Sequence, residues 1–291
     1  MQRFSWGSAR GRHCLVANQP AQKADFFRAE GLLQKHNEDI DLTESRFSAL
    51  PEAELLTLLT LADTCLLWGH RLSEWCGHGP ALEEDIALTN TALDAIGQAR
   101  ALLQLAASRA GVKATEDTLA YFRDADEFHN LMMAALPNGD YAHTIARSFL
   151  LSAWFVPVWE SLAIGTDAPT VTIAANAVKE SRVQLRHASD WVIRFGDGTA
   201  DARARIEAAF ALLWPYSDEL LNVTIDGTDR LQRNAQWWDT VRHTFDVATL
   251  VAPDQVLSPA SVALTAAAHA HRSALLAEMQ SLARQHPGAS W

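Results

Sequence analysis

Two stretches of this chain set an acid between two amides at four-residue intervals: Asn90, Asp94 and Gln98, and again Asn176, Glu180 and Gln184. On an α-helix that interval stacks the side chains on one face. A third stretch carries Asp63, His70 and Glu74 along one stripe, with Leu67 between them. Acids on the inner faces of helices can hold a metal or join a buried hydrogen-bond network. A di-iron carboxylate bundle draws a Glu from each of two helices and a Glu-x-x-His from each of the other two. That demand fails here. Gly97 stands three residues after Asp94 and Val183 three after Glu180, so neither histidine exists. Asp63, Asp94 and Glu180 alone, without imidazole, would hold iron poorly on a lattice that needs about six ligands. Buried carboxylates do need donors, and Asn or Gln a turn away supplies them. The sequence therefore reads as a polar network at vestigial metal-site positions, with neither catalytic residue nor metal ligand. Other sites are equally hard to find. His269 and His271 are two apart and face different ways, and His78, His129 and His143 lack an acid at ligand spacing. The chain has no phosphate loop, nucleophile elbow or HExxH.

Long helices must carry these stripes. Pro51 suits a first helical turn, and Leu55, Leu58, Leu59, Ala62, Leu66 and Leu72 continue a helix to about residue 76. Gly77-His78-Gly79-Pro80 is a turn, and Glu83, Glu84 and Asp85 open a second helix whose positive end favours them. It ends near Gly111, and shorter helical pieces follow over 116–134. Pro137-Asn138-Gly139 turns the chain into a third helix over 140–164, with a kink predicted at Pro157. A fourth helix runs over 169–195 and is closed by Gly196-Asp197-Gly198. Helices over 201–221 (kinked near Pro215), 229–246 and 260–286 complete the pattern, the last capped by Ser258-Pro259. Two long hairpins imply an all-α four-helix bundle with additional helices packed around it. With turns near residues 78 and 166, Asp94 should face Asp63 and Glu180 should face about residue 153, two turns from Glu160.

Composition narrows the function. The chain has 291 residues, 48% of them hydrophobic and 20% charged, enough for a large core. A net charge of −11 argues against nucleic acid or an anionic membrane as partner. Residues 1–45 read as a poorly ordered leader, whose first 24 residues hold Arg3, Arg10, Arg12 and Lys23 but no acid. The helical domain is 46–291. Cys14, Cys65 and Cys76 form no disulfide framework, which fits a reducing cytoplasm. No apolar run reaches membrane-spanning length. Ten Trp are many and lean toward a permanent partner. Trp237 and Trp238 are the interface candidates, because neighbours on a helix point about 100° apart and cannot easily share one core.

Extended stretches carry a resemblance. Leu72-Ser-Glu-Trp-Cys-Gly-His-Gly-Pro80, Glu84-Asp-Ile-Ala-Leu-Thr-Asn90 and Leu93-Asp-Ala-Ile-Gly-Gln-Ala-Arg100 are followed in order by Asp117-Thr-Leu-Ala-Tyr-Phe-Arg-Asp124, Pro137-Asn-Gly139 and Thr144-Ile-Ala-Arg147. Val178-Lys-Glu180, Leu276-Ala-Glu-Met-Gln280 and Trp291 complete the series. Over about residues 50–291 the chain resembles the C subunits of bacterial phenylacetyl-CoA epoxidases, multicomponent ring-1,2-epoxidising monooxygenases. The resemblance implies a ferritin-like fold and a non-catalytic structural role in phenylacetate catabolism. It also implies a homologous A subunit that carries the di-iron centre, a small B subunit, and a reductase with flavin and iron–sulfur groups. No cofactor is expected on this chain itself. Gln184 stands where some relatives have histidine, a further step from a metal role. The rival readings are a self-sufficient di-metal oxygenase using Asp63, Asp94 and Glu180, and a free-standing ferritin-like binding protein.

Overall fold

Residues 52–110, 114–253 and 262–289 are described by a computed structural model, and every regular element among them is helical. The leader 1–45, Pro51, the Ser258-Pro259 cap and Trp291 lie outside the described residues. In chain order the helices are α1 (Glu52–Ser73), α2 (Leu82–Ala110), α3 (Glu116–Tyr121), α4 (Met132–Ala135), α5 (Tyr141–Leu162), α6 (Ala168–Gly196), α7 (Ala200–Leu213), α8 (Ser217–Asn222), α9 (Arg230–Val247) and α10 (Val262–Gln285). α1 pairs with α2, α5 with α6, and α2 with α6, which gives the four-helix bundle. Helices α7 and α9 pack against α5, while α4 backs α1 and α10 covers α3 and α4. The predicted helix over 201–221 is broken into α7, a 3-10 turn Trp214–Tyr216 and α8, with Pro215 in the turn. A proline there removes an N–H from the ladder and crowds the turn before it. Among the described residues no helix is long and apolar enough to cross a membrane.

The inner helices follow from their composition. α1 is buried on every side from Thr57 to Gly69, and α5 from Thr144 to Phe155. A helix that is apolar all round belongs in a core. The polar residues on α1 find partners on α1 itself and on the segments packed around it. Thr64 Oγ1 donates to Thr60 O (2.6 Å) and accepts from Leu131 N (3.0 Å), while Thr57 Oγ1 accepts from Asp226 N (2.8 Å). Trp68 of α1 stacks on Phe155 of α5 (centroids 5.8 Å), which stacks on Trp159 (5.8 Å). These rings fill the space between the inner helices. Arg147, fully enclosed on α5, donates to Leu136 O and Asn138 Oδ1 and so fastens the Pro137-Asn138-Gly139 turn. Burial lowers its pKa to about 9.

The first hairpin is closely packed. A Cβ on Gly69 would stand 2.7 Å from Ile96 Cγ1 and 3.1 Å from Ala92 O, so glycine allows α1 and α2 to approach. At the far end of α6, a Cβ on Gly196 would collide with Ala248 O.

Glu219 of α8 gives the fold a pH dependence. Its Oε2 accepts from Met132 N (2.6 Å), and burial raises its pKa from 4.5 to about 7, against the pull of Arg272. Between those two values the folded chain holds a proton that the unfolded chain has released, so stability falls as pH rises through that window. Glu219→Gln removes the titration. We expect the variant to match the wild type near pH 5 and to be about 1–3 kcal/mol more stable at pH 8. Thermal melts of both across pH 5–8 check this, and parallel curves would refute it.

Candidate functional site

The two acid–amide stripes meet, but not as the bundle-metal scheme requires. Gln98 Nε2 of α2 donates to Glu180 Oε2 of α6 (2.8 Å), and Gln184 Nε2 of α6 donates to Asp94 Oδ2 of α2 (3.3 Å). Each acid is thus held by the amide of the opposite helix in a reciprocal, antiparallel ladder. Gln98 and Gln184 are buried while Asp94 and Glu180 are half-buried. Burial raises the pKa of Asp94, and the Gln184 hydrogen bond opposes it. Cys65 Sγ approaches Gln98 Oε1 (3.6 Å) and extends the ladder to α1, and burial pushes its thiol pKa far up. Asn90 and Asn176, predicted members of the same stripes, are exposed and stand outside the ladder.

Asp63 corrects the predicted register. It faces Arg123, not Asp94: its carboxylate takes Arg123 Nη1 (3.0 Å) and Nη2 (2.5 Å), and it also accepts from His129 N (2.9 Å). The reason is the register of the pairing: Cys65 meets Gln98 and Gly69 meets Ala92 and Ile96, so the two helices pair about a centre past residue 78, and Asp94 comes opposite the stretch around Gly69 rather than Asp63. His70 is half-buried, with burial lowering its pKa, and Glu74 is exposed, taking Arg71 Nη1 (2.7 Å) and Asn138 Nδ2 (2.9 Å). Glu180 turns toward α2 instead of α5, and Glu160 is bound by Arg182 (2.7 Å). Gly97 and Val183, at the places of the missing histidines, are exposed rather than turned into the bundle. Among the described residues no group of three or more His, Cys, Asp or Glu is placed to hold a metal ion.

Trp237 needs a second correction. It is fully enclosed, donates Nε1–H to Leu150 O (3.2 Å) and contacts Trp214 (5.8 Å) and Trp238 (5.1 Å). Trp238 is half-buried against Trp214 (5.9 Å), with Arg242 over its ring (4.9 Å). Neighbours on one helix share the packing because Trp214 is wide enough to touch both. Only Trp238 reaches the surface.

Sequence reasoning missed a hub at one end of the bundle. Glu84 Oε2 accepts from Tyr141 Oη (2.5 Å), His187 Nε2 (2.8 Å) and Trp191 Nε1 (2.9 Å), tying α2 to α5 and α6. Burial pushes its pKa up, but these donors outweigh that and leave it lowered. Glu84 reads in the sequence as a first-turn charge, and nothing local marks its distant partners.

The ladder makes a testable demand. Asp94→Asn keeps the shape, and we expect it to be neutral or slightly stabilising because a raised pKa marks a charge the site disfavours. Asp94→Ala leaves the Gln184 amide unpaired and should cost about 1–3 kcal/mol. Chemical denaturation separates the two, and equal losses would sink the network reading.

Two comparisons with known proteins bear on these features. The family described as phenylacetic acid catabolic protein matches residues 40–291. The chain is also 38% identical over 242 residues to the C subunit of 1,2-phenylacetyl-CoA epoxidase from Escherichia coli, an overlap of 80% of this chain and 97% of that one.

Proposed function

Since this chain belongs to the phenylacetic acid catabolic protein family, we propose that it is a non-catalytic structural subunit of a phenylacetyl-CoA 1,2-epoxidase in the cytoplasm. Its work is to pair with a homologous A subunit, keep that subunit folded and present it to a small B subunit and a reductase. The di-iron centre belongs to the A subunit and the flavin and iron–sulfur groups to the reductase. One observation carries this reading: the acids that sequence offered as ligands are held by other partners. Asp63 binds Arg123, Asp94 binds Gln184 and Glu180 binds Gln98. The rings of Trp68, Phe155 and Trp159 stack on one another between α1 and α5.

The test is omission and metal analysis on the reconstituted complex. Removing this chain should abolish stable A-subunit assembly and epoxidase turnover, and the purified chain should carry no stoichiometric iron. Full turnover by the remaining subunits would refute the structural role. Two irons bound per isolated chain would instead favour a di-metal oxygenase.

A further inference from the structure

α10 is held to the rest of the chain in a different way from the inner helices. From Thr265 to Gln285 its buried side chains are Ala268, Arg272, Leu275, Leu276 and Gln280. A helix docked by the hydrophobic effect ordinarily buries a continuous apolar stripe. Here Arg272 and Gln280 interrupt the stripe, and Leu275 and Leu276 are its only large apolar members. α1 and α5, by contrast, are enclosed on every side through their middle turns.

Polar side chains supply the rest of the docking. α3 has 6 residues, and the last four carbonyls of a helix need donors from outside it. Phe122 N donates to Thr118 O (3.3 Å) and Arg123 Nε to Leu119 O (2.6 Å). The other two carbonyls are capped from α10. Gln280 Nε2 donates to Ala120 O (3.1 Å) and Arg284 Nε to Tyr121 O (3.1 Å). Both side chains also reach Arg123 O, and Arg272 Nη1 donates to Phe128 O (3.0 Å). α10 thus closes over the backbone of residues 120–128, whose Arg123 holds Asp63.

Two features weaken that closure. Arg272 Nε is buried without a hydrogen-bond partner, a cost that the undocked helix would not bear. A cleft of about 410 Å³ separates Tyr121 and Phe122 from Met279, Leu282 and Ala283 of α10, and side chains across a gap lose dispersion contacts. Water can replace the α10 donors at the α3 carbonyls, so undocking exposes mostly polar backbone.

We propose that α10 is a strap that undocks from the α3–α4 segment as a unit while the four-helix bundle stays folded. Gln280 and Arg284 are its latch, and its opening uncovers the backbone around Arg123. An element held by few buried apolar contacts opens at a lower free energy than the core.

Hydrogen exchange of the full chain, read by mass spectrometry of its peptides, tests this. Amides of residues 268–280 should exchange about 100-fold faster than those of α1 and α5, yet slower than an unprotected chain. Dilute urea should accelerate exchange steeply in α5 and weakly in α10, because undocking exposes little surface. Gln280→Ala should speed exchange in α10 by about tenfold and leave α5 unchanged. A single rate and urea slope shared by α10 and α5 would make α10 part of the bundle's cooperative unit and overturn the proposal. Equal acceleration of both helices by Gln280→Ala would do the same, as would an α10 with no protection at all. If Gln280→Ala alters neither helix, the latch is wrong and the proposal falls with it.

Discussion

Asp63→Ala should lower the stability of the folded chain by about 3–5 kcal/mol, because it strands a buried guanidinium. Asp63 is wholly enclosed and Arg123 nearly so, and the two share hydrogen bonds of 2.5 and 3.0 Å. The same carboxylate accepts from His129 N (2.9 Å), so its loss also leaves a backbone donor unpaired. Arg123 further donates to Leu119 O (2.6 Å) and Glu127 O (2.9 Å), which shapes the stretch between α3 and α4 around α1. Gln280 and Arg284 of α10 both bond Arg123 O (3.0 and 2.8 Å), so loosening this stretch should also loosen α10. For a chain of this size the loss corresponds to a melting temperature lower by roughly 6–20 °C. Asp63→Asn should cost less, since it still offers one acceptor. Replacing both partners at once, as Asp63→Leu with Arg123→Met, should recover much of the loss, because an apolar pair leaves no charge unpaired. Urea denaturation of the two single variants and the pair decides it. Singles within about 1 kcal/mol of the wild type would mean that the ion pair is not formed in solution.

Trp237→Ala should cost about 3–5 kcal/mol through the cavity it leaves beside α5. The indole is fully buried, packs against Trp214 and Trp238, and donates to Leu150 O on α5 (3.2 Å). Its removal unpacks α9 from the bundle. Trp237→Phe keeps most of the volume and loses the hydrogen bond, so we expect roughly a third to a half of the alanine effect. Trp238→Ala should cost well under half as much as Trp237→Ala, since that ring is half-buried and partly covered by Arg242. Denaturant midpoints for the three variants rank them. If Trp237→Ala instead leaves the midpoint unchanged and weakens only subunit association, the ring faces a partner after all.

The helices were legible because their signals are local. Pro and Gly at turns, carboxylates at the start of α2 and long runs of Leu and Ala placed both hairpins within a few residues of their observed ends. The facing residues were not legible. The predicted contact of Asp63 with Asp94 needed the hairpin register, and a few residues in the turn rotate a helix by most of a revolution. Glu84 shows the same limit. It lies more than fifty residues from each donor that binds it, and only the packing of α2 against α5 and α6 brings them together.

By itself the sequence determined that the chain is helical, that α2 and α6 each carry an acid and a glutamine four residues apart, and that no histidine follows Asp94 or Glu180 at ligand spacing. Those are properties of residue type and interval, which survive without knowing what lies opposite. The tertiary structure decided where each polar group finds its partner: Asp94 on Gln184, Glu180 on Gln98, Asp63 on Arg123, Trp237 on the backbone of α5. A buried carboxylate or indole is stable with any suitable donor or acceptor, so its residue type names the need without naming the partner. The choice among partners is made by the register and crossing of helices, which the close approach at Gly69 and the turn before α2 set together.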